Sequence, residues 1–243
     1  MLARHPTVWL VPRHGAIATA SVGGMLDRTT YRRLRDRLLE FGAAAEDAVV
    51  VDIGRLELLD EALVRVFALV ALRVGTWPAI PFALVTDRPE QRALLAANVG
   101  NVPVYRDFAA AEAALRPPVR WRAGRVLGRS PRTSARARGF VEGVCAEWRV
   151  PELAEDAALI ATELVENTFR HTASEPRLVL ELRRDGLGIA VSDESARPAV
   201  LREGLDVLET GLGLRLVAKV AKTWGSSRVW SGGKVVWAVL ARP

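Results

Sequence analysis

Apolar positions recur along the chain with two periods, and the switches between them mark its elements. Residues 7–12 (TVWLVP) and 16–22 (AIATASV) read as two short strands around a turn at His14 and Gly15. In 28–41 (RTTYRRLRDRLLEF), Tyr31, Leu34, Leu38 and Phe41 fall on one stripe of a helix. Residues 48–53 (AVVVDI) form the β-branched run of a buried strand. A helix over 61–74, a strand over 82–86, a helix over 89–100, a strand over 102–106 and a helix over 107–116 follow. Strands alternating with helices predict an α/β layer architecture for this half.

The second half has a different order. Helices are expected over 134–148 and 151–172, then alternating strands over 177–184 and 188–193 joined by a turn at Asp185 and Gly186. An irregular stretch, 194–210, precedes a helix over 213–224, and strands over 226–231 and 234–240 close the chain around Gly232 and Gly233. Helices segregated from paired strands predict an α+β sandwich. Between the halves, residues 116–134 combine Pro117, Pro118, Gly124, Gly128 and Pro131 with repeated arginines, which is linker chemistry. Within it 119–127 (VRWRAGRVL) alternates and fits an edge strand of the second domain. The expected organisation is a first domain over 1–116, a linker over 117–134 and a second domain over 135–243.

Composition narrows the class without naming a ligand. The 243 residues are half hydrophobic and about a quarter charged, enough to bury a sizeable core. The most apolar run, 62–74, is short and is broken by Arg65 and Arg73, so no membrane span is expected. With no secretion signal evident, a cytoplasmic protein is the default expectation. Cys145, the single cysteine, permits no internal disulfide and is expected as a buried thiol. A net charge of +6 raises the question of nucleic acid, but the arginines are dispersed and no nucleic-acid motif interleaves them with aromatics.

One helix carries unusual polar chemistry. Over 160–171, Ile160, Ala161, Leu164, Val165, Thr168 and Phe169 cover one side, while Glu163, Asn167 and His171 form a neighbouring row with Arg170 alongside. An asparagine oxygen suits a hard cation such as Mg²⁺, and a glutamate one turn earlier can accept a hydroxyl proton. By itself the row is equally an exposed helix face. Asp193, at the end of a strand, can accept a hydrogen bond from an exocyclic amino group, or simply close a turn. Gly211 and Gly213 stand directly before an apolar helix, where backbone N–H groups can approach phosphate.

Taken in order, TELVENTFRHT (162–172), VSDESARP (191–198) and TGLGLRLV (210–217) resemble the ATP-binding domain of the Bergerat (GHKL) class, and more narrowly the anti-sigma-factor serine kinases among histidine-kinase-like ATPases. The resemblance extends from about Ala135 to the end. It implies ATP and Mg²⁺ as cofactors, Glu163 as catalytic base, Asn167 as metal ligand, Asp193 as adenine acceptor, and Gly211 and Gly213 as phosphate-contacting lid residues. Residues 194–210 would form the lid, with Arg197 or Arg202 reaching the γ-phosphate. Arg170 and His171 would orient the helix or pack locally. Two departures stand out: Val235 is apolar where a polar residue commonly supports the adenine aspartate, and Leu212 replaces an arginine often found between the lid glycines.

Residues 6–115 resemble a STAS domain, the fold of anti-sigma-factor antagonists. Where such antagonists present a phosphorylatable serine after an aspartate, this chain reads LLDEALVR, with Asp60, Glu61, Ala62 and Leu63. Alanine has no hydroxyl, so phosphorylation there is chemically excluded. The half is then a constitutive docking or pseudo-substrate module, a structural or dimerisation unit, or a mimic whose Glu61 supplies a fixed negative charge. Together the resemblances imply a regulatory kinase that phosphorylates a serine of a separate STAS antagonist and controls sigma-factor binding. The alternative is a nucleotide-gated binding switch without kinase activity.

Overall fold

The computed structural model describes residues 8–13, 17–116, 119–195, 212–230 and 232–242. The chain divides into two units, 1–118 and 119–243. The expected turn at His14 and Gly15 lies outside the described residues.

In the first unit, strands β1 (Val8–Arg13), β2 (Ile17–Leu26), β3 (Ala48–Leu58), β4 (Phe82–Val85) and β5 (Val104–Tyr105) form one sheet in sequential order. Only the β1–β2 pair is antiparallel; β2 through β5 run parallel. Helices α1 (Tyr31–Ala43), α2 (Arg65–Thr76) and α3 (Pro89–Asn98) supply the connections that parallel strands require, and α4 (Phe108–Ala114) follows β5. Ala48, Val50, Ala83 and Val85 pack with Ala111 and Leu115 of the α4 region. Alternation leaves Val49, Val51 and Leu84, also buried, for the opposite face.

Strand β3 runs five residues beyond the expected end at Ile53. The Asp52 carboxylate accepts the Gly54 N–H at 2.9 Å and shapes a bulge, where the pairing steps from Ser21↔Asp52 to Gly23↔Arg55. Beyond the bulge the ladder resumes to Leu26↔Leu58, which carries the chain to Asp60. The expected helix over 61–74 starts as a 3₁₀ turn, Glu61–Val64, before α2.

In the second unit, β6 (Trp121–Val126), β7 (Arg177–Arg183), β8 (Gly186–Asp193), β10 (Lys234–Ala241) and β9 (Thr223–Arg228) form an antiparallel sheet in that order. Residues 121–126 of the stretch expected as a linker are thus an edge strand of this sheet. Helices α5 (Thr133–Glu147), α6 (Ala154–His171) and α7 (Leu212–Val220) share one core with it. That core joins Ile160, Ala161, Leu164 and Val165 of α6 to Leu178, Leu180, Ile189, Val191, Val236 and Ala238. Each of these larger side chains contributes roughly 1.5–3 kcal/mol on full burial. Cys145 is fully buried in the same core, and burial pushes its thiol pKa up, with Glu152 adding to the effect.

The last helix ends earlier than its apolar pattern predicts. α7 stops at Val220 rather than Trp224, and β9 covers 223–228 rather than 226–231. The Lys222 N–H already donates to the Val239 carbonyl at 2.9 Å, and Trp224 packs against the core from within a strand. Among the described residues, no helix is long and apolar enough to cross a membrane.

Close helix packing yields a stability test. A Cβ placed on Gly42 of α1 would stand 2.6 Å from Cγ2 of Val74 on α2. At Gly139, in the middle of α5, it would meet nothing within 4 Å. Alanine favours a helix interior by about 1 kcal/mol over glycine, whereas overpacking costs about 1–3 kcal/mol. Thermal unfolding should therefore show Gly42→Ala destabilised and Gly139→Ala stabilised.

Candidate functional site

Glu163, in the polar row of α6, lies against the start of α7. A Cβ built on Gly213 would collide with Oε2 of Glu163 and stand 3.3 Å from its Cδ, so any other residue there would push the carboxylate aside. The Glu163 carboxylate thus lies against the first described turn of α7. Burial pushes its pKa up, the neighbouring Glu166 adds to this, and Arg170 opposes it. One turn further, Asn167 is half-buried and makes no side-chain hydrogen bond to any described residue. Glu166 holds the row in place: it accepts from Ser134 Oγ at 3.3 Å and pairs with Arg170 at 3.1 Å. Arg170 therefore has a local partner, and His171 is exposed at the end of α6.

Asp193 ends β8, and its carboxylate is occupied. Lys234 Nζ lies 2.9 Å from Oδ1 and 2.8 Å from Oδ2, with the two side chains 3% and 0% exposed for lysine and aspartate respectively. The Ser195 N–H also donates to Oδ1 at 2.8 Å. Sequence reasoning looked for the supporting residue at Val235, but the register sets Val235 opposite Ser192 and Lys234 opposite Asp193. Side chains alternate between faces along a strand, so Val235 points away from the aspartate and Lys234 toward it. The turn before β10 makes this possible. Gly232 and Gly233 have φ of +97° and +83°, and a Cβ on Gly233 would collide with the Asp193 carbonyl.

The exit from β8 is pinned as well. Ser174 Oγ accepts the Glu194 N–H at 3.2 Å and bonds Thr172 Oγ1 at 2.7 Å. Arg129 closes the end of α6: it donates to the Thr172 carbonyl at 2.8 Å, and its guanidinium lies 4.6 Å from the centre of the Phe169 ring. Neither Arg129 nor Lys234 carries a sequence signal, because each acts through a partner more than forty residues away. Gly211, Arg197, Arg202 and the rest of 196–211 lie outside the described residues.

These donors test whether ATP and Mg²⁺ fit. At the phosphate end they do: Asn167 offers a free amide oxygen, and Glu163 with Gly213 lines the amino end of α7. Among the described residues no group of three His, Cys, Asp or Glu side chains could hold a metal, so the cation would depend on Asn167 together with phosphate oxygens and water. At the base end Asp193 is paired with Lys234, whose Nζ, like the Ser195 N–H, donates to Oδ1, while the buried Asp193 Oδ2 accepts no hydrogen bond. A carboxylate offers about four acceptor positions, so the pair leaves room for one further donor.

In the first unit the Asp60 carboxylate caps the turn at Glu61–Val64, accepting the Ala62 N–H at 2.9 Å. Glu61 and Ala62 are exposed, and Leu59 beside them is 61% exposed. The loop holds its shape without a hydroxyl at Ala62.

No protein-family description matches the chain, and no curated protein does. Among solved structures, it is similar to an anti-sigma factor antagonist from Mycobacterium paratuberculosis, at 22% identity and a TM-score of 0.40 over 45% of this chain and 95% of that one. It is also similar to the anti-sigma factor antagonist SpoIIAA in its unphosphorylated form, at 17% identity and a TM-score of 0.36 over 44% of this chain and 93% of the other.

Two outcomes are expected from this geometry. Because the folded-state pKa of Glu163 is raised, its contribution to stability is fully present below the ordinary glutamate value of 4.5 and is lost as pH rises through the folded value. Glu163→Gln, which keeps the neutral form, should melt higher than wild type at neutral pH, and the gap should close as the pH is lowered toward 4.5. Lys234→Met should lose about 3–5 kcal/mol in chemical denaturation by stranding the buried Asp193 charge, and adding Asp193→Asn should recover most of that loss.

Proposed function

We propose that this chain is a regulatory protein that binds a nucleoside triphosphate with Mg²⁺ in its second unit and phosphorylates a serine of a separate STAS-type antagonist. The phosphorylation state would then govern the holding of a partner such as a sigma factor. The observation that carries this reading is the meeting of Glu163 and Gly213 at the first turn of α7. Three residues of a sequence resemblance (Glu163, Asn167 and Gly213) stand on two elements that pack together. The raised proton affinity of Glu163 suits a general base. Glu163 takes the hydroxyl proton as the serine oxygen bonds to the γ-phosphorus and the bond to the bridging oxygen breaks, leaving a nucleoside diphosphate. Asn167 holds the cation, whose chemistry is to neutralise phosphate charge. With Ala62 in the first unit, the acceptor serine belongs to another protein.

A second reading has its own observation. The closed Asp193–Lys234 pair favours a nucleotide-gated binding switch without transfer, in which the capped loop at Asp60–Ala62 docks a partner.

Transfer of labelled phosphate from ATP or GTP to purified STAS proteins, read beside calorimetric binding of the same nucleotides, separates the two. The kinase reading expects transfer by wild type, at least about 100-fold slower transfer by Glu163→Gln with binding retained, and weakened Mg²⁺-dependent binding in Asn167→Ala. Binding that changes partner affinity without transfer selects the switch. A folded wild type that binds no triphosphate ends both readings.

A further inference from the structure

Although arginine occurs throughout the chain, seven arginines and no aspartate or glutamate fall within residues 119–138, more positive charge than the net +6 of the whole protein. The fold spreads this segment over β6, the loop after it and the start of α5. Arg125, Arg132, Arg136 and Arg138 are exposed and make no ion pair with any described residue. β6 ends its sheet and pairs only with β7, so one row of its backbone N–H and C=O groups is left for another strand. On the same strand Trp121 and Val126 are 53% and 58% exposed. We propose that the outer edge of β6 docks an extended, acidic segment of a partner protein, which joins the antiparallel sheet as a further strand.

Charge selects the occupant. Antiparallel pairing of β6 with a second copy of itself, centred on the strand, would set Arg122 of one copy opposite Arg125 of the other, and like charges directly opposite are destabilising. Charges on an edge strand often serve only to keep other strands away. That role does not reach Arg132, Arg136 and Arg138, which lie at the start of α5, where there is no edge to guard. The guanidiniums beside the edge are also held in place. That of Arg125 lies 4.9 Å from the centre of the Phe140 ring, and that of Arg129 lies 4.6 Å from the centre of Phe169 while donating to the Thr172 carbonyl. A planar fork seated on an aromatic face keeps N–H groups for a carboxylate and loses little freedom on pairing. A single-stranded nucleic acid would use a row of open aromatic faces. Phe140 and Phe169 instead pack against the core beneath those guanidiniums, and what the edge offers beside its charge is a backbone ladder, which a polypeptide can use.

The test titrates three probes into the full-length protein at physiological salt: a peptide of alternating glutamate and valine, its lysine–valine counterpart, and single-stranded polyuridylate. The acidic peptide is expected to bind at least about tenfold more tightly than either control. Hydrogen exchange should then slow at alternate amides within 121–126, as strand addition requires. Arg125→Glu combined with Arg132→Glu should weaken the acidic peptide by at least about tenfold. Binding of either control as tight as that of the acidic peptide overturns the choice of partner, and no binding of the acidic peptide overturns the proposal outright. Peptide binding without slowed exchange in β6 overturns strand addition. Slowing of the same amides with rising protein concentration and no peptide assigns the edge to a second copy, which also overturns the proposal. A folded double variant that binds the acidic peptide unchanged removes the arginines from it. If that variant does not fold, the wild-type series still decides.

Discussion

The contact between the ends of β8 and β10 fixes the chemistry of the second unit. Gly233 sits against the Asp193 carbonyl, and from that point the register runs without a break through Val236↔Val191, Ala238↔Ile189 and Leu240↔Leu187. These same pairs form the sheet side of the core on which α6 lies. A slip of one residue would turn Lys234 away from Asp193 and carry the apolar set to the other face. One turn geometry therefore sets both the ion pair and the seat of the helix that bears Glu163 and Asn167. The buried charge pair contributes little net stability by itself, but it penalises every register in which either charge is left alone.

Much of the fold was legible because its elements obey local periods. The stripe of Tyr31, Leu34, Leu38 and Phe41 became α1, and the β-branched run at Ala48 became β3. The polar row of α6 emerged with the expected apolar side buried, and Gly213 lies against Glu163. Where the reading departed, a long-range partner had overruled a local pattern. The apolar stripe of α7 continues in sequence to Trp224, but β10 offers a ladder to residue 222 onward, and the backbone takes it. Strand β3 outran its β-branched core because Asp52 shaped a bulge that kept the ladder going. Val235 is apolar where the resemblance leads one to expect a polar support for Asp193, and the polar residue beside Asp193 is its neighbour Lys234, on the other face of the strand. Lys234 carries no local signal, because its partner lies 41 residues earlier.

The first unit shows how a loop keeps its geometry through backbone groups alone. Asp60 closes the 3₁₀ turn through the Ala62 N–H, a backbone group that any residue but proline would supply. The turn is fixed from below as well. The Gln91 side chain donates to the Leu56 carbonyl at 2.7 Å and accepts from Thr86 Oγ1 at 2.6 Å, tying the end of β3 to that of β4 and to α3. A hydroxyl at position 62 is not needed for any of these bonds. The exposed Leu59 and Glu61 therefore stand on a rigid frame, and a rigid frame lowers the entropy cost of docking a partner.

The same physics operates in both units, with opposite consequences for binding. At Asp60–Ala62 a carboxylate caps its own backbone turn and the surface around it stays exposed. At Asp193 the carboxylate is buried beside an ammonium delivered by the neighbouring strand. Glu163 differs from both because it projects from α6 toward a glycine. Gly213 offers no side chain to the Glu163 carboxylate, and partial burial with the like charge of Glu166 outweighs Arg170 and keeps its proton affinity high. Glu163 therefore holds its carboxylate against α7 by packing, where Asp60 and Asp193 hold theirs by a cap and a counter-ion.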